Sequence, residues 1–94
     1  MFDIHVETGG RVKVNGRLDA AESDRALAIF RGLDGPITVD CAGLDYISSA
    51  GIAVIMDTYK RLSSSGHTLL LANLTPRVKN VFMYAGLDKL LGIE

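Results

Sequence analysis

The chain has 94 residues, 48% of them hydrophobic and 22% charged, with 10 basic and 11 acidic side chains and a formal net charge of −1. This balance describes a folded domain with one core rather than a disordered tail, and the scattered cations form no patch for nucleic acid. The lone Cys41 cannot make an internal disulfide, no Cys/His spacing suggests zinc, and the apolar runs are far too short to cross a bilayer.

Phe2, Ile4 and Val6 alternate with Asp3, His5 and Glu7, the period of a half-buried strand. Gly9-Gly10 supplies a tight turn, and Val12 and Val14 then alternate with Arg11 and Lys13, which predicts an N-terminal hairpin. Asn15-Gly16 reads as a further turn ending it. A helix follows with Asp19 as N-cap and Glu22 at capping-box spacing. Its buried stripe is expected from Ala26, Leu27, Ile29, Phe30 and Leu33, and Gly32 or Gly35-Pro36 stops it. Ile37 to Cys41 predicts a central strand, followed by a loop through Gly43 and Asp45. The longest helical pattern carries Ile52, Ile55, Met56, Tyr59 and Leu62 and ends at Ser63-Ser64-Ser65-Gly66. Thr68 to Ala72 predicts a second buried strand, and Thr75-Pro76 opens a helix with a cap and a proline at its first position. Val78, Val81, Phe82 and Ala85 continue that helix to Gly86, and Asp88 to Leu91 suits a short last turn.

Strands separated by helices require crossover connections. The expectation is therefore an α/β fold: a single domain over 1–94 with a mixed β-sheet, an N-terminal hairpin, parallel core strands and helices packed on the sheet. The N-terminus lacks the pattern of a signal peptide, so the expected location is cytoplasmic.

Catalytic and phosphate-binding motifs are missing: there is no GxxxxGK[ST], no GxGxxG after a strand and no GxSxG elbow. His5 and His67 sit in or beside predicted strands without an acid–base partner nearby in sequence, and Cys41 reads as a small buried hydrophobe. Asp40 and Asp45 read as residues that end a strand and shape a turn, although two carboxylates so close in sequence also admit a pair. No metal site and no cofactor is expected. Asp45-Tyr46-Ile47-Ser48-Ser49-Ala50-Gly51-Ile52 stands apart, because two hydroxyls meet the start of the strongest helix. Capping, at about 1 kcal/mol, accounts for one serine and not for two. Gly51 near a helix start costs up to about 1 kcal/mol against Ala, which makes sense where a partner or a neighbouring backbone comes close.

The run from Val39 to Ile52 resembles the signature of STAS domains, especially bacterial anti-sigma factor antagonists: a strand-end Asp, a loop, then [Asp/Ser]-Ser-[Ser/Ala]-Gly-[Leu/Ile] entering a helix. Asn15-Gly16-Arg17-Leu18-Asp19-Ala20 is similar to the family's Gly-x-Leu-Asp segment. Ser48 stands where the family often has Asp, and Ala50 where it often has a second Ser. The resemblance implies a binding protein and not an enzyme. It implies phosphorylation at Ser49 by a partner anti-sigma factor that is itself a serine kinase using ATP, reversed by a phosphatase. It also implies a partner-binding face of Asp19, Ser48, Ser49, Ala50, Gly51, Ile52, Asn73 and Thr75, with the loop Asn73-Leu74-Thr75 beside Ser49, and neither nucleic-acid binding nor membrane insertion.

A phosphate on Ser49 would add about −1.5 to −2 charges at a helix N-terminus, where the domain tolerates it. At an interface the same group can cost several kcal/mol, so modification would act as an off-switch for binding. Two rival readings stand beside this one. In the first, the domain is a non-phosphorylated subunit of a larger assembly, such as a lipid-transport complex or a stress-sensing scaffold. In the second, the Gly/Ser-rich turn holds a nucleotide, against which the lack of Lys or Arg within it argues.

Overall fold

Alternating apolar residues draw the first two strands into an antiparallel hairpin, β1 (Phe2–Glu7) and β2 (Arg11–Leu18), joined by one 3₁₀ turn at Thr8–Gly10. The computed structural model describes residues 1–93. After the hairpin come α1 (Ala20–Arg31), β3 (Ile37–Ile47), α2 (Ser49–Ser64), β4 (Leu69–Ala72), α3 (Pro76–Tyr84), a 3₁₀ turn (Leu87–Lys89) and the short β5 (Gly92–Ile93). The sheet has the order β1-β2-β3-β4-β5, antiparallel at the hairpin and parallel thereafter. The expected mixed α/β fold is therefore observed, with β5 as an unpredicted edge.

Side chains alternate across a strand, so Val12, Val14, Ile37, Val39, Leu69 and Leu71 share one face. All three helices pack on that face. Ala26 and Phe30 of α1, Val54, Ile55 and Leu62 of α2, and Val78 and Phe82 of α3 join these strand residues in one continuous buried cluster. The apolar stripe of α1 is narrower than expected, since Leu27, Ile29 and Leu33 are only half-buried. In α2 the burial falls on Val54, Ile55, Thr58 and Leu62, while Ile52, Met56 and Tyr59 lie at its margin. Thr58 is buried without penalty because its hydroxyl donates to the Val54 carbonyl at 2.9 Å.

Two expected turns prove to be strand. Asn15-Gly16 does not end the hairpin; β2 runs on to Leu18, and β3 runs through Gly43 and Asp45 to Ile47 alongside it. Register shifts at Lys13/Asn15 and Gly16/Arg17 mark bulges, which absorb the turn-prone residues without breaking the ladder. Gly16 has φ +87°, and a Cβ there would collide with the carbonyl of Met1 on β1's flank, so both conformation and space demand glycine.

The helices are tied to each other by cations. Arg61 of α2 donates to the Phe30 carbonyl at 2.7 Å near the end of α1, and Arg31 pairs with Asp57 through two bonds of 3.2 and 3.3 Å. The largely buried Asp40 clamps the helix-free face. It accepts from Asn73 Nδ2 and the Ala42 N–H, each at 3.1 Å, and from Arg11 at 3.0 Å. The bond from Asn73, then that from Ala42, and in smaller part Arg11 hold its carboxyl below the usual carboxylate range against the opposing effect of burial.

Because the folded-state pKa of Asp40 is depressed, its contribution to stability is present above the unfolded value, near pH 4, and is lost as pH falls through the folded one. Chemical denaturation between pH 7 and pH 2 is expected to show a fall in wild-type stability below about pH 4 that is smaller in Asp40→Asn. Equal pH profiles for the two proteins would contradict this. Burial, and secondarily Asp40, push the Cys41 thiol up to about 12, so the folded protein is expected to resist alkylation by iodoacetamide at neutral pH and to react only on unfolding.

Candidate functional site

The parallel strands end on one side of the sheet, where each following helix begins with a capped N-terminus. Asp19 Oδ1 accepts the Glu22 N–H at 3.3 Å, Ser48 Oγ accepts the Gly51 N–H at 3.2 Å, and Thr75 Oγ1 accepts the Val78 N–H at 3.4 Å. The caps at Asp19 and Thr75 are those the sequence predicts. The capping box at Glu22 is only half made, because the Glu22 carboxylate takes Arg25 at 3.3 Å instead of returning to Asp19.

The two serines divide their work. Ser48 is the cap, with extended backbone and its side chain turned onto the helix end. Ser49 is the first helical residue and is exposed. Its hydroxyl is thus free of the capping duty and faces outward at the positive end of the helix dipole. Ala50 beside it is half-buried. Ile52 is half-buried as well and packs against the core margin.

Gly51 is buried, and the structure answers why glycine stands there. A Cβ at this position would sit 2.6 Å from the Leu18 carbonyl oxygen, 2.8 Å from Ile47 Cγ1 and 2.9 Å from Leu18 Cγ. The close approach is to the neighbouring backbone of β2, so any part Gly51 plays at a partner surface is indirect. The Ser48 N–H donates to the same Leu18 carbonyl at 3.0 Å, which fixes the start of α2 against the end of β2, one residue from Asp19.

Asn73 and Thr75 share this side of the sheet but make other contacts. Asn73, at φ 59°, turns onto Asp40, and Thr75 lines a shallow depression with Asp45, Pro76 and Arg77. The observed bonds of this loop are to β3 well before Ser48, not to the Ser49 turn. Asp40 and Asp45 do not pair either, since Asp40 is committed to the clamp and Asp45 is exposed. His5 bonds to Asp3 at 2.9 Å on the exposed edge strand, and His67 is exposed beyond α2. Among the described residues no group of three His, Cys, Asp or Glu side chains is arranged to hold a metal, and no helix is long and apolar enough to cross a membrane.

Next to Ala50 a groove of about 340 Å³ runs between α1 and α2, lined by Ser23, Asp24, Leu27, Ala53, Val54 and Asp57. A second feature escapes motif reading altogether. Arg17 and Tyr46, cross-strand neighbours just before the turn, stack with the guanidinium carbon 4.2 Å from the ring centroid. The available signal is an aromatic and a cation, each one residue before a buried strand end.

Comparison with known proteins decides the family. A family profile described as "Mlab, STAS domain" matches residues 4–92, nearly the entire chain. The chain belongs to the STAS domain family. It is 35% identical over 65 residues to BtrV of Bordetella bronchiseptica, assigned as an anti-sigma factor antagonist, a match that covers 69% of this chain and 55% of that protein. It is 30% identical over 81 residues to the anti-sigma F factor antagonist of Lysinibacillus sphaericus, covering 81% of this chain and 69% of the relative. The chain thus spans little more than half the length of the Bordetella relative. Among solved structures, the Bacillus cell fate determinant SpoIIAA in its phosphorylated form superposes with a TM-score of 0.71 at 22% identity, over 100% of this chain and 91% of that one. That likeness establishes the fold shared with this STAS domain.

The division between the serines predicts unequal stability effects. Ser48→Ala should cost about 1 kcal/mol in urea denaturation, whereas Ser49→Ala should stay within about 0.5 kcal/mol of wild type. Gly51→Ala should cost about 1–3 kcal/mol by overpacking against Leu18 and Ile47. A Ser49→Ala loss equal to that of Ser48→Ala would refute the assignment of the cap.

Proposed function

We propose that this STAS domain is an anti-sigma factor antagonist. In this reading it binds an anti-sigma factor that is also a serine kinase, thereby frees a sigma factor, and is switched off when that kinase phosphorylates Ser49 from ATP. The reading places the exchange in the cytoplasm, with a phosphatase to reset it. It makes the domain a binding module whose chemistry is done to it and not by it.

The observation that carries the reading is the exposed Ser49 hydroxyl at the first position of α2, left free because Ser48 caps the helix. The names of the two sequence relatives and the phosphorylated form in which SpoIIAA was solved support it. Asp19 and Ala50 adjoin Ser49 through the Leu18 joint and the α2 start, and would form the contact face with Ser48 and Ile52. Asn73 and Thr75 would contribute from the far side of the same sheet end.

The energetics favour a switch of binding without a switch of fold. A phosphate at the first turn of α2 meets unpaired backbone N–H groups and the helix dipole, an effect of about 0.3–1 kcal/mol in the domain's favour. At a protein interface the same charge, desolvated or opposed, costs several kcal/mol. A loss of about 3 kcal/mol weakens association on the order of a hundredfold.

A second reading keeps the domain as a non-phosphorylated subunit of a larger assembly, such as a lipid-transport complex or a stress-sensing scaffold, with Ser49 as a contact residue. The description of the matching family profile favours it, since that description names an Mlab STAS domain and no antagonist. Calorimetric titration against a serine-kinase anti-sigma factor from the same organism separates the two. Ser49→Ala should bind like wild type, and Ser49→Asp about a hundredfold more weakly while melting at the same temperature. Mass spectrometry after incubation with that kinase and ATP should find one phosphate, on Ser49. Equal affinity of wild type and Ser49→Asp would sink the switch.

A further inference from the structure

Most of the chain's arginines spend their guanidinium inside the fold. Arg11 goes to Asp40, Arg25 to the Phe2 carbonyl, Arg31 to Asp57 and Arg61 to the Phe30 carbonyl. Arg17 does not. It lies 4.2 Å over the Tyr46 ring, is exposed, and among the described residues pairs with no carboxylate. Among the described residues Arg77 likewise pairs with no carboxylate, and no ring holds it.

The position of the stack is set by the strands. Leu18 and Ile47 pair and point into the core, so Arg17 and Tyr46, one residue earlier on each strand, point to the helix-free face. The Ser48 N–H bonds to the Leu18 carbonyl, which puts the stack directly before the Ser48–Ser49 turn. Asp3 and Asp45 line the same shallow cavity of about 330 Å³ as Arg17, yet neither forms an ion pair with it.

A stacked guanidinium is restrained over one flat face while its in-plane N–H fork stays unspent. That fork matches a carboxylate through two parallel bonds, and the ring removes part of the ordering cost before any partner arrives. Arg and Tyr are also the residue types in which interface energy concentrates. Resting on the proposed antagonist reading, we infer that the Arg17–Tyr46 stack is a docking contact for a carboxylate side chain of the anti-sigma partner. It acts beside the Ser49 switch and independently of it: Ser49 sets whether the domain binds, and the stack adds to the affinity with which it does.

The test is titration of wild type, Arg17→Gln, Arg17→Lys, Tyr46→Phe, Tyr46→Leu and Ser49→Asp against a purified serine-kinase anti-sigma factor from the same organism, with a thermal melt of each. Arg17→Gln should weaken binding about tenfold, as expected for a substantial interface contact, with an unchanged melt. Arg17→Lys should recover only part of that loss, because an ammonium has no fork. Tyr46→Phe should bind like wild type, since the π face remains, and Tyr46→Leu should approach Arg17→Gln. If Arg17→Gln and Tyr46→Leu bind within about twofold of wild type while Ser49→Asp fails to bind, the docking contact is overturned and the switch stands. If wild type itself does not bind, both fall together. A loss of affinity that tracks a lowered melting temperature would assign the stack to the fold and overturn the inference.

Discussion

The carbonyl of Leu18 is the joint on which this end of the sheet turns. It closes the last rung of β2, accepts the Ser48 N–H, and lies so near the α2 backbone that only glycine fits at position 51. Remove that approach and α2 would stand off the sheet, with Ile47, Val54 and Ile55 no longer packed as they are. One backbone oxygen therefore fixes the helix whose first residue is Ser49. It does so by geometry a side chain cannot replace, since an unpaired buried N–H or C=O costs as much as a lost hydrogen bond.

From that joint the division between the serines follows. A helix start has several N–H groups in search of acceptors, and one short hydroxyl at the cap satisfies one of them. Ser48 has the extended backbone that capping requires, and Ser49 already has the helical one. The next hydroxyl along is thereby released to solvent in the positive potential of the same helix end. A negative charge at that position would meet the helix dipole favourably and would touch no residue of the core.

Much of this was legible in the sequence where the signal is local. The caps at Asp19 and Thr75, the proline opening α3 and the alternation of β1 at Phe2 and Ile4 are short-range chemistry and appear where expected, whereas Val6 at the end of that strand is exposed. The misreadings share one cause. Asn15-Gly16 and the stretch through Gly43 and Asp45 have turn chemistry, but the pairing of β2 with β3 is a contact between distant segments and recruits both as bulged strand. Asp40 has the residue type of a strand end but lies within β3, and its bonds to Arg11 and Asn73 join three separate segments that no spacing rule connects. The same holds for Gly51, whose oddity was visible and whose cause, a carbonyl on another strand, was not. Two serines at a helix start leave open which of them caps it; the structure gives the cap to Ser48 and leaves Ser49 exposed at the first helical position.

The order of the sheet also bears on how the chain assembles. Strands β1 to β5 lie side by side in the order in which they are synthesised. Each new strand adds at the growing margin, so no strand has to insert between two already paired. The joint at Leu18 needs only residues up to the first turns of α2, so it rests on β2, β3 and the helix between β3 and β4, not on β4 or α3. Growth by addition at one margin lets the end of the sheet that carries Ser49 assemble without threading a strand between two already paired.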